Sequence, residues 1–266
     1  MIVYDTEIKH GVPGKQEPIE GIKYCKGWDD FAGMGVAVVA AYDYTEDACR
    51  VFCDDNLQEF QHLVWSHAEQ GEKIVGFNSL KFDNPLVRVH GVDIPDEDSY
   101  DLLVEIWKAA GLGPEFVKET HMGFSLDDCI KANFDEYGKT GDGAMAPVLW
   151  QQGKIGKVID YCLSDVWLNK MLLDRVLNEG GIVCPKTGGW LMVENPSGFA
   201  GLDEPESEYE WKTARFGVIA NYCHTPRMPF SDKWDTEMKS LDKWIEKNKP
   251  VKTDWNLGKG VENASA

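Results

Sequence analysis

No C-x-x-C pair occurs in this sequence. Its seven cysteines (Cys25, Cys49, Cys53, Cys129, Cys162, Cys184, Cys223) are odd in number and scattered. That pattern argues against both a zinc ribbon and a disulfide framework. Long apolar runs are missing too. Only Met-Ile-Val-Tyr precedes the first charge, so no signal peptide is expected, and no stretch approaches a membrane span. Positive charge is scarce: 27 Lys and Arg stand against 45 Asp and Glu, a formal net charge of -18. A chain this acidic does not grip nucleic acid through general basicity, because phosphates are repelled at long range. A phosphate partner would need a local remedy, and divalent cations held by carboxylates are one. Internal repeats are absent as well. These absences lead to the expectation of a soluble, cytoplasmic protein without a membrane partner.

What is present is ordinary globular material, 266 residues with 43% apolar and 27% charged, enough for one generous α/β domain and an appendage. "IVYDTEI" has the composition of a strand, and a long Gly-, Pro- and charge-rich loop follows it. "MGVAVVAAYDY" and "CRVFC" read as two further strands of a meander. "DNLQEFQHLVWSHAEQG" reads as a helix capped by Asp55 or Asn56. "KIVGFN" is a short buried strand, "YDLLVEIW" another strand, and "SLDDCIKANF" the start of a capped helix. The strongest helical signal is "GKIGKVIDYCLSDVWLNKMLLDRVLNEGG", ended by Gly180 and Gly181. Strands followed by strand-helix alternation predict a mixed sheet with helices packed on it. From about residue 181 the character changes to a hairpin, an acidic loop, a helix carrying Trp234, Met238, Leu241 and Ile245, and a loose tail.

Asp-Thr-Glu occurs twice, at 5–7 and at 235–237. On a strand, residues two apart share a face, so Asp5 and Glu7 stand side by side. On a helix they diverge, and Asp235 and Glu237 in a first turn simply favour the helix dipole. The early pair either sits in water at a strand end or is compensated by a cation. In "GFNSLKFDNPLV", Asp83 follows the end of a buried strand, where it caps the helix containing Pro85, presents a ligand, or does both. Tyr161 and Asp165 lie four apart on a helix face that continues through Val158, Leu168 and Leu172. Asp165 interrupts that apolar stripe, so it meets either a polar partner or a cation.

Taken together, these elements resemble the DEDD (DnaQ-like) 3'-5' exonucleases of the ribonuclease H-like fold. Asp5 and Glu7 match the Asp-x-Glu of the first motif. "NSLKFD", with Asn78, Phe82 and Asp83, matches the second, and Tyr161 with Asp165 matches the Tyr-x3-Asp form of the third. Position 160, where the histidine variant needs its base, is Asp160, so the likeness is to the tyrosine subclass. It covers roughly residues 1–178 and extends to the exonuclease domains of family B polymerases. It implies an exonuclease domain over 1–180 and a C-terminal extension over 181–266. It further implies two Mg2+ or Mn2+ ions held by Asp5, Glu7, Asp83 and Asp165, with Tyr161 orienting the attacking water. Asn78 and Phe82 would be substrate contacts, and Lys81 and Arg88 nearby would touch base or phosphate unless they are merely core and surface. The implied substrates are 3' ends of single-stranded DNA or RNA, with a polymerase or replication partner. Two other readings use the same residues: a catalytically silent scaffold subunit, and a metal-dependent phosphatase of small substrates. The loop after Glu7 has no counterpart in the likeness.

Overall fold

The structure, a computed structural model, describes residues 1–14, 18–134 and 143–196. The second Asp-Thr-Glu, the helix expected around Trp234 and the tail lie outside the described residues. A five-stranded mixed sheet organises the chain, in the order β3-β2-β1-β4-β5. Its strands are β1 (Ile2–Ile8), β2 (Val36–Asp43), β3 (Ala48–Phe52), β4 (Ile74–Gly76) and β5 (Ser99–Asp101). The expected meander forms, since β1, β2 and β3 pair antiparallel, and β4 and β5 run parallel to β1. Eight α-helices are described, α1 (Phe31–Met34), α2 (Leu57–Ala68), α3 (Asp83–Val89), α4 (Leu102–Ala109), α5 (Lys118–His121), α6 (Leu126–Asn133), α7 (Ala146–Gln151) and α8 (Ile155–Glu179), with a short 3-10 helix at Gly143–Met145.

Strand alternation divides the core into two layers. On one face Val3, Val38, Ala40 and Tyr42 pack with Leu102 and Ile106 of α4, Cys129 of α6, and Cys162, Val166 and Leu173 of α8. Ile2, Tyr4, Val39 and Ala41 turn the other way, onto Phe60 and Val64 of α2 and Leu86 and Val87 of α3. This is an α/β fold with helices on both faces of the sheet. Because β1 lies at the centre, its side chains can be reached from both layers.

Local chemistry explains the element ends. Ser125 caps α6 in a reciprocal capping box with Asp128. Gly180 ends α8 in the left-handed conformation, φ 78°. The segment read as a strand, "YDLLVEIW", is instead a three-residue strand and then a helix. Asp101 makes the switch, its carboxylate accepting the Leu103 and Val104 backbone N–H groups at 3.1 and 3.4 Å. Past α8 the expected hairpin forms from β6 (Gly181–Val183) and β7 (Trp190–Met192). Ile182, Cys184 and Val193 bury themselves in the same core as α8. Among the described residues, no helix is long and apolar enough to cross a membrane.

Candidate functional site

The carboxyl ends of parallel strands β1, β4 and β5 lie together, and the loops leaving them build the site. Asp5 and Glu7 stand on the β1 face that α8 covers. Cys162, on the second turn of α8, touches Asp5 from beneath, its Sγ 3.4 Å from the Asp5 carbonyl and 3.7 Å from the carboxylate. Burial and the negative charges of Asp5 and Glu7 push that thiol well up, so Cys162 serves as neutral packing. One turn further along α8, Asp165 enters the same space. One ligand atom from each of Asp5, Glu7 and Asp165 lies within 4.8 Å of the others. Glu7 and Asp165 are buried at 7% and 5% exposure, while Asp5 is half-buried. Ionised carboxylates so close repel by roughly 3 kcal/mol per pair at an effective dielectric of about 20. These residues could therefore hold a metal ion.

Asp83 arrives from the opposite layer of the sheet. The sequence reading made it a possible helix cap, but the N-cap of α3 is Phe82, without a side-chain capping bond, and Asp83 is the first helical residue. Its carboxylate instead accepts the Thr6 hydroxyl at 2.5 Å. Burial pushes the Asp83 carboxyl up to about 7; the Thr6 hydrogen bond works against this, and the negative charge of Asp101 reinforces it. Asp83 lies outside the three-carboxylate cluster, yet it lines the same cavity.

That cavity has a volume of about 900 Å³ and is lined by the expected catalytic, metal-binding and substrate residues Asp5, Glu7, Asn78, Phe82, Asp83, Tyr161 and Asp165, though not by Lys81 or Arg88. Tyr161 is half-buried beside the turn at Gly143, where an added Cβ would lie 3.4 Å from its hydroxyl. None of the described lining residues is basic. Lys81 pairs with Glu115 at 2.7 Å, and Arg88 pairs with Asp93 and Asp96 at 3.3 Å. Neither cation lines the cavity.

Two supporting residues escaped the sequence reading. Thr6 was seen only as the middle of a tripeptide. Asp101, 2% exposed, accepts the Asn78 and Leu80 backbone N–H groups at 2.9 and 3.0 Å as well as capping α4. It thereby fixes the turn that carries Asn78 through Asp83. That turn is tight: Asn78 takes a left-handed φ of 66°, which asparagine tolerates better than most residues. A Cβ on Gly76 would fall 2.3 Å from the Ser79 Cβ. Burial raises the Asp101 carboxyl, and its four backbone donors oppose that rise. An acid beside a strand end and before an apolar helix is the one signal that could have marked it. A scan against protein-family models finds no match for this chain, and no curated protein matches it.

Proposed function

We propose that the chain is a metal-dependent 3'-5' exonuclease of the DEDD type with a ribonuclease H-like fold, acting on single-stranded nucleic acid. The observation carrying this reading is the meeting of Asp5, Glu7 and Asp165 within 4.8 Å, in one cavity with Asp83 and Tyr161. Strand β1, carrying the first two acids, is the first strand and lies at the centre of a mixed sheet, which opens these acids to groups from both layers. The donors are all oxygen, which suits Mg2+ or Mn2+ and not zinc. With no basic side chain among the described lining residues, dications would also reconcile this acidic pocket with a phosphodiester.

In this reading Asp5, Glu7, Asp83 and Asp165 hold the ions. When bound, two dications supply the charge that makes water nucleophilic near neutral pH and offsets the charge gathering on the leaving oxygen. Tyr161 orients the attacking water through its hydroxyl without giving up its own proton. Thr6 holds the Asp83 carboxylate toward the cavity, and Asp101 holds the turn behind it. Water adds to phosphorus, the P–O3' bond breaks, and a 5'-mononucleotide leaves from a strand with a new 3' hydroxyl.

The test is Mg2+- or Mn2+-dependent digestion of single strands labelled at the 5' end, to follow shortening, or uniformly, to identify the released products, with a chelator control. Successive 5'-mononucleotide release is expected, abolished in Asp165→Asn and in Asp5→Ala, with thermal unfolding unchanged or raised because repulsion is relieved. Full nuclease activity in either variant, or none in the wild type, would overturn the assignment.

A further inference from the structure

The cavity has a second wall, built by the segment between β1 and β2 that the resemblance does not cover. This segment is tied down at its base. Gly11 pairs with Tyr24 in a parallel bridge, and the Gly11 N–H donates to the Lys23 carbonyl at 3.0 Å while the Cys25 N–H donates to the Gly11 carbonyl at 2.9 Å. An added Cβ at Gly11 would press on the Tyr24 ring at 2.7 Å, so glycine is required for that approach. Asp30 accepts the Lys26 N–H at 2.8 Å and caps α1.

This arrangement presents Trp28. The ring lines the cavity, yet it is 70% exposed. It stands edge-on to Phe82 at 6.2 Å, and Phe31 backs Phe82 at the same distance. Ile19, 45% exposed, and Tyr24 complete an apolar wall. A large ring left in water, set edge-on against Phe82 and facing a cavity, suits a flat apolar ligand. The acids fix where a phosphate goes, and the described lining offers no cation for a second one.

We infer that Trp28 is a stacking platform for an unpaired base of the strand whose phosphate meets the carboxylates, a subsite supplied by the β1–β2 segment. This rests on the nuclease reading above. Stacking reads only the π-face of a base, so the subsite tolerates any sequence and accepts DNA and RNA alike.

The test measures binding of fluorescent single-stranded DNA and RNA of one sequence to Asp165→Asn in Mg2+, with and without Trp28→Ala or Trp28→Phe, and turnover of the same strands by wild-type and Trp28 single variants. Trp28→Ala should weaken binding about tenfold or more and Trp28→Phe much less, and a strand with abasic 3'-terminal positions should lose this dependence on residue 28. Turnover by the wild type with binding and KM unchanged in Trp28→Ala overturns the subsite alone. Absence of turnover in the wild type overturns the nuclease reading and the subsite with it. Since Trp28 is exposed, its replacement leaves the core intact, and unchanged thermal unfolding verifies this.

Discussion

The Asp83 carboxylate accepts the Thr6 hydroxyl, and its carboxyl is raised to about 7, mainly by burial. A free aspartate titrates at about 3.9. Between those limits the folded chain keeps a proton that the unfolded chain releases, so this group's contribution to stability falls as pH rises and levels off above about 7. In chelator, wild type should therefore lose stability relative to Asp83→Asn between pH 5 and 7, with a slope of at most about 1.4 kcal/mol per pH unit. Thermal melts of the two proteins across that range provide the check, and parallel curves would remove the assignment. The site acids themselves were legible in sequence: period two places Asp5 with Glu7, and a charge within an apolar helix stripe exposes Asp165. Thr6 and Asp101 were not. Thr6 meets its partner across 77 positions of chain, and Asp101 acts mostly on backbone N–H groups, which no side-chain pattern records.

At the scale of elements, the site is the junction of β1, the turn before α3, α8 and the β1–β2 segment, and one side chain pins that last piece. Gln151, the final residue of α7, donates to the Lys9 and Lys23 carbonyls at 2.9 and 3.0 Å and accepts the Lys23 N–H at 2.7 Å. Its amide thus adds to the bridge at this point, where the Lys23 carbonyl also accepts the Gly11 N–H. Gln151→Ala should speed hydrogen exchange at the Lys23 amide and proteolysis within the segment, while the global unfolding temperature moves little, because the residue is half-buried and off the core. Unchanged exchange at Lys23 would show that the segment is held by other contacts. The strands and the long helix α8 were readable because their periodicity is sustained. The run beginning at Leu102 was not, since a short, largely apolar run such as Leu102–Trp107 fits a short buried strand or a buried helix equally well, and the deciding contact is the Asp101 cap. The β1–β2 segment read as plain loop because its order comes from Gln151 and the Gly11–Tyr24 bridge, both tertiary features.

For the molecule as a whole, the governing quantity is the net charge of -18. Proteins that hold nucleic acid with Lys and Arg release counterions on binding, so their affinity for single strands falls with salt at a log–log slope of about -0.7 per phosphate neutralised. The described cavity lining contains no such side chain. Under the proposed nuclease reading, what monovalent salt screens is mostly the repulsion between an acidic protein and an acidic strand. Raising KCl from about 20 to about 150 mM shortens the Debye length from roughly 20 to roughly 8 Å. At saturating, constant free Mg2+, kcat/KM on a short single strand should hold steady or rise across that range. A slope near -2 would instead mean that about three phosphates rest on basic side chains. Strand binding would then depend on a surface outside this cavity, and stacking on Trp28 with phosphate capture at the carboxylates would not account for recognition.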